Sequence, residues 1–238
     1  MPTASAFGRA MLDSLAGQPR TFSMETRGYP ALEMTCSDFM YLRQDEKQLL
    51  DSIALPQSAD VLDFGCGIGR HLSHIRLKSA AVHCIGIDIC DLMLDHCRQT
   101  FAAPATFANS LAELPGLQCD LIMLMGNGLG VLGDEPHAMA SLDQLVRALR
   151  PGGRMVIEAG NPFGQGYSSR AFTIDYQEHH EGPFVWGYAD RAWLADTMTR
   201  LGCAVTLSKS HAPGGVCFFA VAEKTQADPT INQLKEGA

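Results

Sequence analysis

The run Val61-Leu62-Asp63-Phe64-Gly65-Cys66-Gly67-Ile68-Gly69-Arg70 constrains this chain more than any other segment. An apolar stretch closes on an acid and then breaks into three glycines at alternate positions. Glycine at that density would ruin a strand interior. The chain must therefore turn at Gly65 and begin a helix near Ile68. Glycine tolerates positive φ and lets a ligand come close to bare backbone amides, so a strand, a glycine turn and a helix in this order suit a ligand-binding bend.

The remaining chain is that of an ordinary globular protein. Its 238 residues are 46% hydrophobic and 18% charged, enough for one large domain or two small ones. The net charge of -8 argues against nucleic acid as a partner, since phosphate contacts need clustered Lys and Arg. No basic run suits an anionic membrane surface, and no apolar stretch reaches the roughly 18 residues of a membrane helix. The eight cysteines include no C-x-x-C pair. They read as buried free thiols in a reducing compartment, and no metal site is expected. With no signal-like segment in 1–17, the expected location is cytoplasmic.

Apolar spacing predicts helices over 4–15 and 37–53. Between them, 21–35 reads as a loop or partly ordered lid. From Asp60, apolar runs at 61–64, 82–87, 105–108, 121–125 and 155–158 alternate with helical segments at 68–77, 91–101 and 135–149. Runs apolar on both faces, separated by helices, imply a mostly parallel sheet covered on both sides. Leu149 to Gly153 reads as a helix stop and turn. Segment 159–187 has no long period and reads as a functional loop. A helix at 191–201 precedes two antiparallel strands at 203–208 and 216–222, joined through 211–215. The expected organisation is an N-terminal helical cap (1–59), an α/β core (60–224) with a substrate-capping insert (159–188), and a flexible tail (225–238).

The glycine run, read with Ile85-Gly86-Ile87-Asp88 and Leu149 to Gly153, resembles the cofactor loop of class I (Rossmann-like) S-adenosylmethionine (SAM) dependent methyltransferases. Arg70 stands where the third glycine of a dinucleotide G-x-G-x-x-G fingerprint would lie, which favours SAM over NAD. The resemblance implies a seven-stranded, mostly parallel sheet with helices on both faces and a terminal antiparallel hairpin. It also implies that Gly65, Cys66, Gly67 and Gly69 lie against the methionine and ribose of SAM, with Asp63 beneath them. Asp88 would accept hydrogen bonds from the ribose diol, and Ile89 would lie on the adenine face. Ser110 stands where the family often has an adenine-binding Asp, so the Leu111 amide is the expected adenine contact beside it. Met125 ends the fourth strand of the domain, where the family's reaction centre opens. Asn127 resembles the Gly-Asn of glycine- and sarcosine-type N-methyltransferases. The D/N-P-P-Y/F/W motif of DNA-base and protein-glutamine methylation is missing.

Methyl transfer is an in-line displacement that asks mainly for two reactants held collinear and dry. The expected acceptor chamber comes from 21–35 and 159–187. Tyr29, Phe163, Tyr167, Phe172, Tyr176, Phe184, Trp186 and Tyr188 are its candidate aromatic lining, because aromatic faces attract cations. Asp175, His179, His180 and His71 add titratable groups, each of which could equally be structural. Tyr176, Asn127, Tyr29 and Asp175 are the candidate catalytic residues. The leading expectation is methylation of N or O on a small molecule, in secondary metabolism. One alternative is cyclisation of SAM itself to azetidine-2-carboxylate with release of methylthioadenosine. Another is a SAM-binding regulator without turnover. The sequence leaves the oligomeric state open, with a homodimer as one candidate assembly.

Overall fold

The computed structural model describes residues 5–212 and 214–225. The expected tail beyond Thr225, and Pro213 in the predicted 211–215 turn, lie outside the described residues. The chain opens with α1 (Ala6–Leu15), the hairpin β1 (Thr21–Thr26) and β2 (Leu32–Thr35), and two short helices, α2 (Ser37–Met40) and α3 (Gln44–Ser52). Alternating elements follow: β3 (Asp60–Phe64), α4 (Arg70–Lys78), β4 (His83–Ile87), α5 (Asp91–Thr100), β5 (Ala105–Ala108), β6 (Cys119–Leu124), α6 (Glu135–Ala148) and β7 (Leu149–Ala159). A hairpin of β8 (Tyr167–Tyr176) and β9 (His179–Ala189), then α7 (Arg191–Arg200), β10 (Cys203–Lys209) and β11 (Phe218–Lys224), complete the order.

One sheet has seven strands in the order β10-β11-β7-β6-β3-β4-β5. β3 pairs in parallel with β4 and β6, and β7 in parallel with β6. β11 is antiparallel to both β7 and β10. The central strands are buried on both faces, β6 throughout save Asp120, which explains their unbroken apolar runs. Helices cover them with apolar stripes. In α5, Met93, Leu94 and Cys97 turn inward; in α6, Ala138, Leu142, Leu145 and Val146 do so, behind an Asp134 N-cap that accepts from the His137 amide at 3.1 Å. The chain runs outward from β3 through β4 to β5, then crosses back to β6 on the other side of β3. The crevice between the carboxyl ends of β3 and β6 is thus the switch point at which such sheets bind ligands.

The second sheet has four antiparallel strands in the order β2-β1-β8-β9. It departs from the expected loops. Segment 21–35 is a hairpin, and most of 159–187 is another, joined to the first along β1 and β8 with Met24 opposite Ile174. The N-terminal segment and the insert therefore make one sheet rather than two separate pieces. The predicted helix over 37–53 is broken in two, because Tyr41 leaves α2 extended and Arg43 starts α3 afresh. The Glu46 carboxylate accepts from the Arg43 amide at 2.6 Å and seals that new start. The 149–153 turn sits inside β7 as a register shift between the pairs at Cys119 and Leu121. Helix α1 lies under the cap sheet, with Ala6, Ala10 and Met11 buried against Phe22, Ile174, Cys90 and Met93.

A candidate cofactor and acceptor cavity

A cavity of about 400 Å³ opens at the switch point, within the range of small-molecule sites. Its floor is the bend after β3. Gly65, Gly67 and Gly69 all have positive φ, at 80°, 53° and 78°. At Gly69 the requirement is double. It starts α4 in the left-handed region, and a Cβ there would stand 2.7 Å from the Phe101 ring. The Gly65 and Cys66 amides both donate to the Ile87 carbonyl, at 2.8 and 2.9 Å, tying the bend to the end of β4.

Asp88, just past β4, faces this floor. One carboxylate oxygen accepts the Gly67 amide at 2.8 Å and the other the Cys90 amide at 2.9 Å. Burial pushes its pKa above the ordinary carboxylate value, against the pull of those two amides; the nearby Asp63 and Glu181 charges push it further up. An ionised carboxylate has about four acceptor sites, so two remain for a diol. Ile89 beside it is 83% exposed and lines the cavity, an apolar face free to cover a base.

Below the floor runs a chain of buried charges. Asp63 meets His71 Nδ1 at 3.3 Å, and His71 Nε2 stands 3.6 Å from Glu46. Glu46 also pairs with Arg70 at 3.2 Å and with Arg43 at 3.3 Å. Arg43 reaches on to Glu158, which accepts from Ser210 and, on its other oxygen, from the Gly126 amide at 2.8 Å and the Asn127 amide at 3.3 Å. Burial raises the Glu46 pKa, but the His71 and Arg70 partners outweigh it and carry it down to about 2. Burial pushes His71 down, yet the Asp63 charge and the bonds to Asp63 and Glu46 prevail and raise it. This network locks α3, α4 and the ends of β3, β6 and β7 around the cavity.

The roof is apolar. Phe7 and Met11 of α1, Phe39 of α2, and Ile174, Phe184 and Trp186 of the cap sheet face the floor. Glu181 accepts from the Ser5 hydroxyl at 2.8 Å and from the Phe7 amide at 3.1 Å, fastening the start of α1 to β9.

Of the residues predicted from sequence, the structure brings Gly65, Cys66, Gly67, Asp88, Ile89 and Met125 to the cavity wall. Asp63 lies directly beneath it, bonded to the lining residue His71. Gly69 shapes the bend from behind. Asn127 sits in the left-handed region between two lining residues, its side-chain oxygen buried without a partner. Ser110 and Leu111 stand outside the wall, where their neighbour Asn109 takes a place. The other three catalytic candidates are set apart. Tyr176 is buried with its hydroxyl donating to Asp13 at 2.9 Å. Asp175 alternates to the opposite side of β8 from Ile174 and pairs with His180 at 2.6 Å. Tyr29, half exposed in the β1–β2 turn, rests on Phe163 with centroids 5.5 Å apart. Of the eight aromatic candidates, Phe184 and Trp186 line the cavity.

Sequence reasoning passes over Arg43, Glu158, Glu181 and the α1 residues, and the spacing over 37–53 sets Glu46 with Asp45 and Lys47 on the solvent face, whereas Glu46 is fully buried in its ion pairs with Arg43 and Arg70. Glu158 carried a signal. It ends an apolar strand run with an acid, just as Asp63 and Asp88 nearly do.

Comparison with known proteins agrees with this architecture. Residues 61–153 match the family model described as a methyltransferase domain. A comparison with curated protein sequences gives no match. The SAM-dependent methyltransferase of Bacteroides fragilis, solved with S-adenosyl-L-homocysteine, superposes with a TM-score of 0.77 at 18% identity, over 95% of this chain and 97% of that one. The CcbJ methyltransferase of Streptomyces caelestis gives 0.63 at 17% identity, over 95% of this chain and 100% of that one. The sugar N-methyltransferase KedS8 of a Streptoalloteichus species gives 0.55 at 13%, over 77% of this chain and 86% of that one. Residues 61–153 are thus similar to a methyltransferase domain, and the chain has the fold of class I SAM-dependent methyltransferases.

Proposed function

We propose that this protein binds SAM at the β3–β6 crevice and transfers its methyl group to a nitrogen or oxygen of a small molecule. The observation that carries this reading is the joining of two halves in one cavity: the glycine bend with Asp88 on one side, and an apolar and aromatic roof on the other. The cofactor supplies a methyl group activated on a sulfonium. The residues present fit it. The bend offers bare backbone, Asp88 has two unfilled acceptor sites for the ribose, and Ile89 offers an exposed apolar side chain for the base.

The remaining work belongs to the chain's own groups. The Glu158 bonds to the Gly126 and Asn127 amides fix the turn after β6, where the acceptor must approach. The α1 roof, fastened by Glu181, covers one face of the cavity with apolar side chains. The aromatic rings of Phe39, Phe184 and Trp186 stabilise positive charge beside them. Small-molecule acceptors fit the size of the cavity, and KedS8, a sugar N-methyltransferase that shares the fold, lends this support. The cyclising alternative leaned on Tyr29, Tyr176 and Asp175, none of which lines the cavity.

Incubation with SAM, with and without candidate acceptors, tests the proposal by mass spectrometry. S-adenosylhomocysteine and a methylated acceptor are expected. Methylthioadenosine and a cyclic amino acid from SAM alone would replace this reading with cyclisation. Binding without any turnover would point to a regulator.

A further inference from the structure

We infer that the acceptor is an apolar, ring-bearing amine seated against Trp186, not a polyhydroxylated sugar or an amino acid. This rests on the methyl-transfer reading and narrows it. The cavity is lined by the glycine bend, Asp88, Ile89 and Asn109, and also by Val131, Phe39, Phe184 and Trp186. Val131 stands over the bend, 3.3 Å from where an added Cβ on Gly65 would lie. With a nucleoside on the bend and Asp88, as the methyl-transfer reading has it, the apolar residues beside Trp186 are what remains for an acceptor.

The polar side chains around the cavity are largely spent. The Arg70 guanidinium donates to Glu46 at 3.2 Å and to the Asp38 and Tyr41 carbonyls at 3.1 and 2.6 Å. His71 meets Asp63 through Nδ1 at 3.3 Å, and its Nε2, buried without a hydrogen-bond partner, stands 3.6 Å from the Glu46 carboxylate rather than open to the cavity. Asn109 donates to Asp91 at 2.9 Å and to the Asp88 carbonyl at 3.3 Å. Ser5 caps α1 and bonds Glu181. Among the described residues, the lining thus offers no uncommitted cation for a carboxylate, and no array of side-chain donors and acceptors for several hydroxyls. A site built to hydrogen-bond a substrate discriminates strongly through those groups, and an apolar one cannot. With Asp88 given to the ribose, the Glu181 carboxylate and the aromatic faces favour an amine. It arrives as an ammonium, loses a proton to solvent, and its lone pair then forms the new N–C bond as the methyl's C–S bond breaks and S-adenosylhomocysteine leaves.

Trp186 is placed with evident fit. Its indole lies directly on Gly130, in the turn after β6, where an added Cβ would fall 1.8 Å from Nε1. Tyr167 fastens the neighbouring strand to the same turn, its hydroxyl donating to the Gly133 carbonyl at 2.6 Å. A bare glycine under the ring and a hydrogen bond beside it fix a flat apolar wall next to the place of reaction.

The test uses the full chain saturated with S-adenosylhomocysteine, titrated calorimetrically with 2-phenylethylamine, cyclohexylamine, glucosamine and glycine. Turnover with SAM is measured in parallel. The ring amines should bind and react with the higher kcat/KM. Trp186→Ala should raise their KM about tenfold and leave S-adenosylhomocysteine affinity unchanged, which also certifies folding. Gly130→Ala, which displaces the indole without removing it, should act in the same direction. Preference for glucosamine or glycine, no binding of either ring amine to the loaded protein, or an unaltered KM in Trp186→Ala would each overturn the inference while the methyl-transfer reading stands. Failure to bind S-adenosylhomocysteine at all would overturn both.

Discussion

In the seven-stranded sheet, β6 buries every residue but one, whereas in the cap sheet β9 leaves Val185 47% exposed and alternates around it. The two sheets meet across the cavity and contribute unlike things to it. The large sheet supplies backbone: a glycine bend, a turn after β6, and a carboxylate at a strand end. The cap supplies side chains, above all Phe184 and Trp186. Doubly covered strands place the backbone and carboxylate of the proposed cofactor site, and a half-exposed sheet built from distant segments places the aromatic side chains of the proposed acceptor site.

The largest effect should come from the large-sheet side, in the buried charge network beneath the cavity. Glu158 links the β6 turn to Arg43 of the N-terminal segment and is fully buried. Glu158→Ala leaves Arg43 short of a partner and two amides unsatisfied. It should cost roughly 3–5 kcal/mol, read from the urea midpoint, and should depress turnover. A stability unchanged within error would show that this network does not hold α3 to the ends of β6 and β7.

Next in size is Asp88→Ala, on the large-sheet side alone. It should weaken SAM binding by about 1.5–3 kcal/mol with little change in acceptor KM, as calorimetry and kinetics can separate. Equal loss in both would mean that the division of labour is wrong.

The charge network gives an acid limb. Glu46 is held at about 2, below its unfolded value. Its contribution is therefore complete above the unfolded pKa of roughly 4.3 and is lost as the pH falls toward 2. Unfolding midpoints should decline over that window, and Glu46→Gln should flatten the slope. A slope identical in the variant would remove Glu46 from the account.

The smallest effect belongs to the cap. Tyr176→Phe removes one hydrogen bond to Asp13 and should lower stability by about 1 kcal/mol with kcat preserved. A large fall in kcat would return Tyr176 to the chemistry.

These same regions differed in how far they could be read from the chain. The β3, β4 and β6 runs are apolar on both faces and stand between amphipathic helices, so their residues announce a covered parallel sheet. The glycine bend and Asp88 were legible because backbone approach and a strand-end acid each demand a particular residue type. The cap was not. Phe172, Ile174 and Tyr176 do alternate, but the β1 partner that completes their sheet lies some 150 residues away in sequence, and no local period can show that pairing. For the same reason Tyr176 looked like a chamber residue. Its aromatic identity was visible, while its attachment to α1 was not.

The central claim is tested most directly by a crystal structure with S-adenosylhomocysteine. The account predicts adenosine over residues 65–69, both ribose hydroxyls on the Asp88 carboxylate, and the sulfur directed toward Val131 and Trp186. Adenosine bound elsewhere, or an Asp88 still engaged by the Gly67 and Cys90 amides alone, would contradict it.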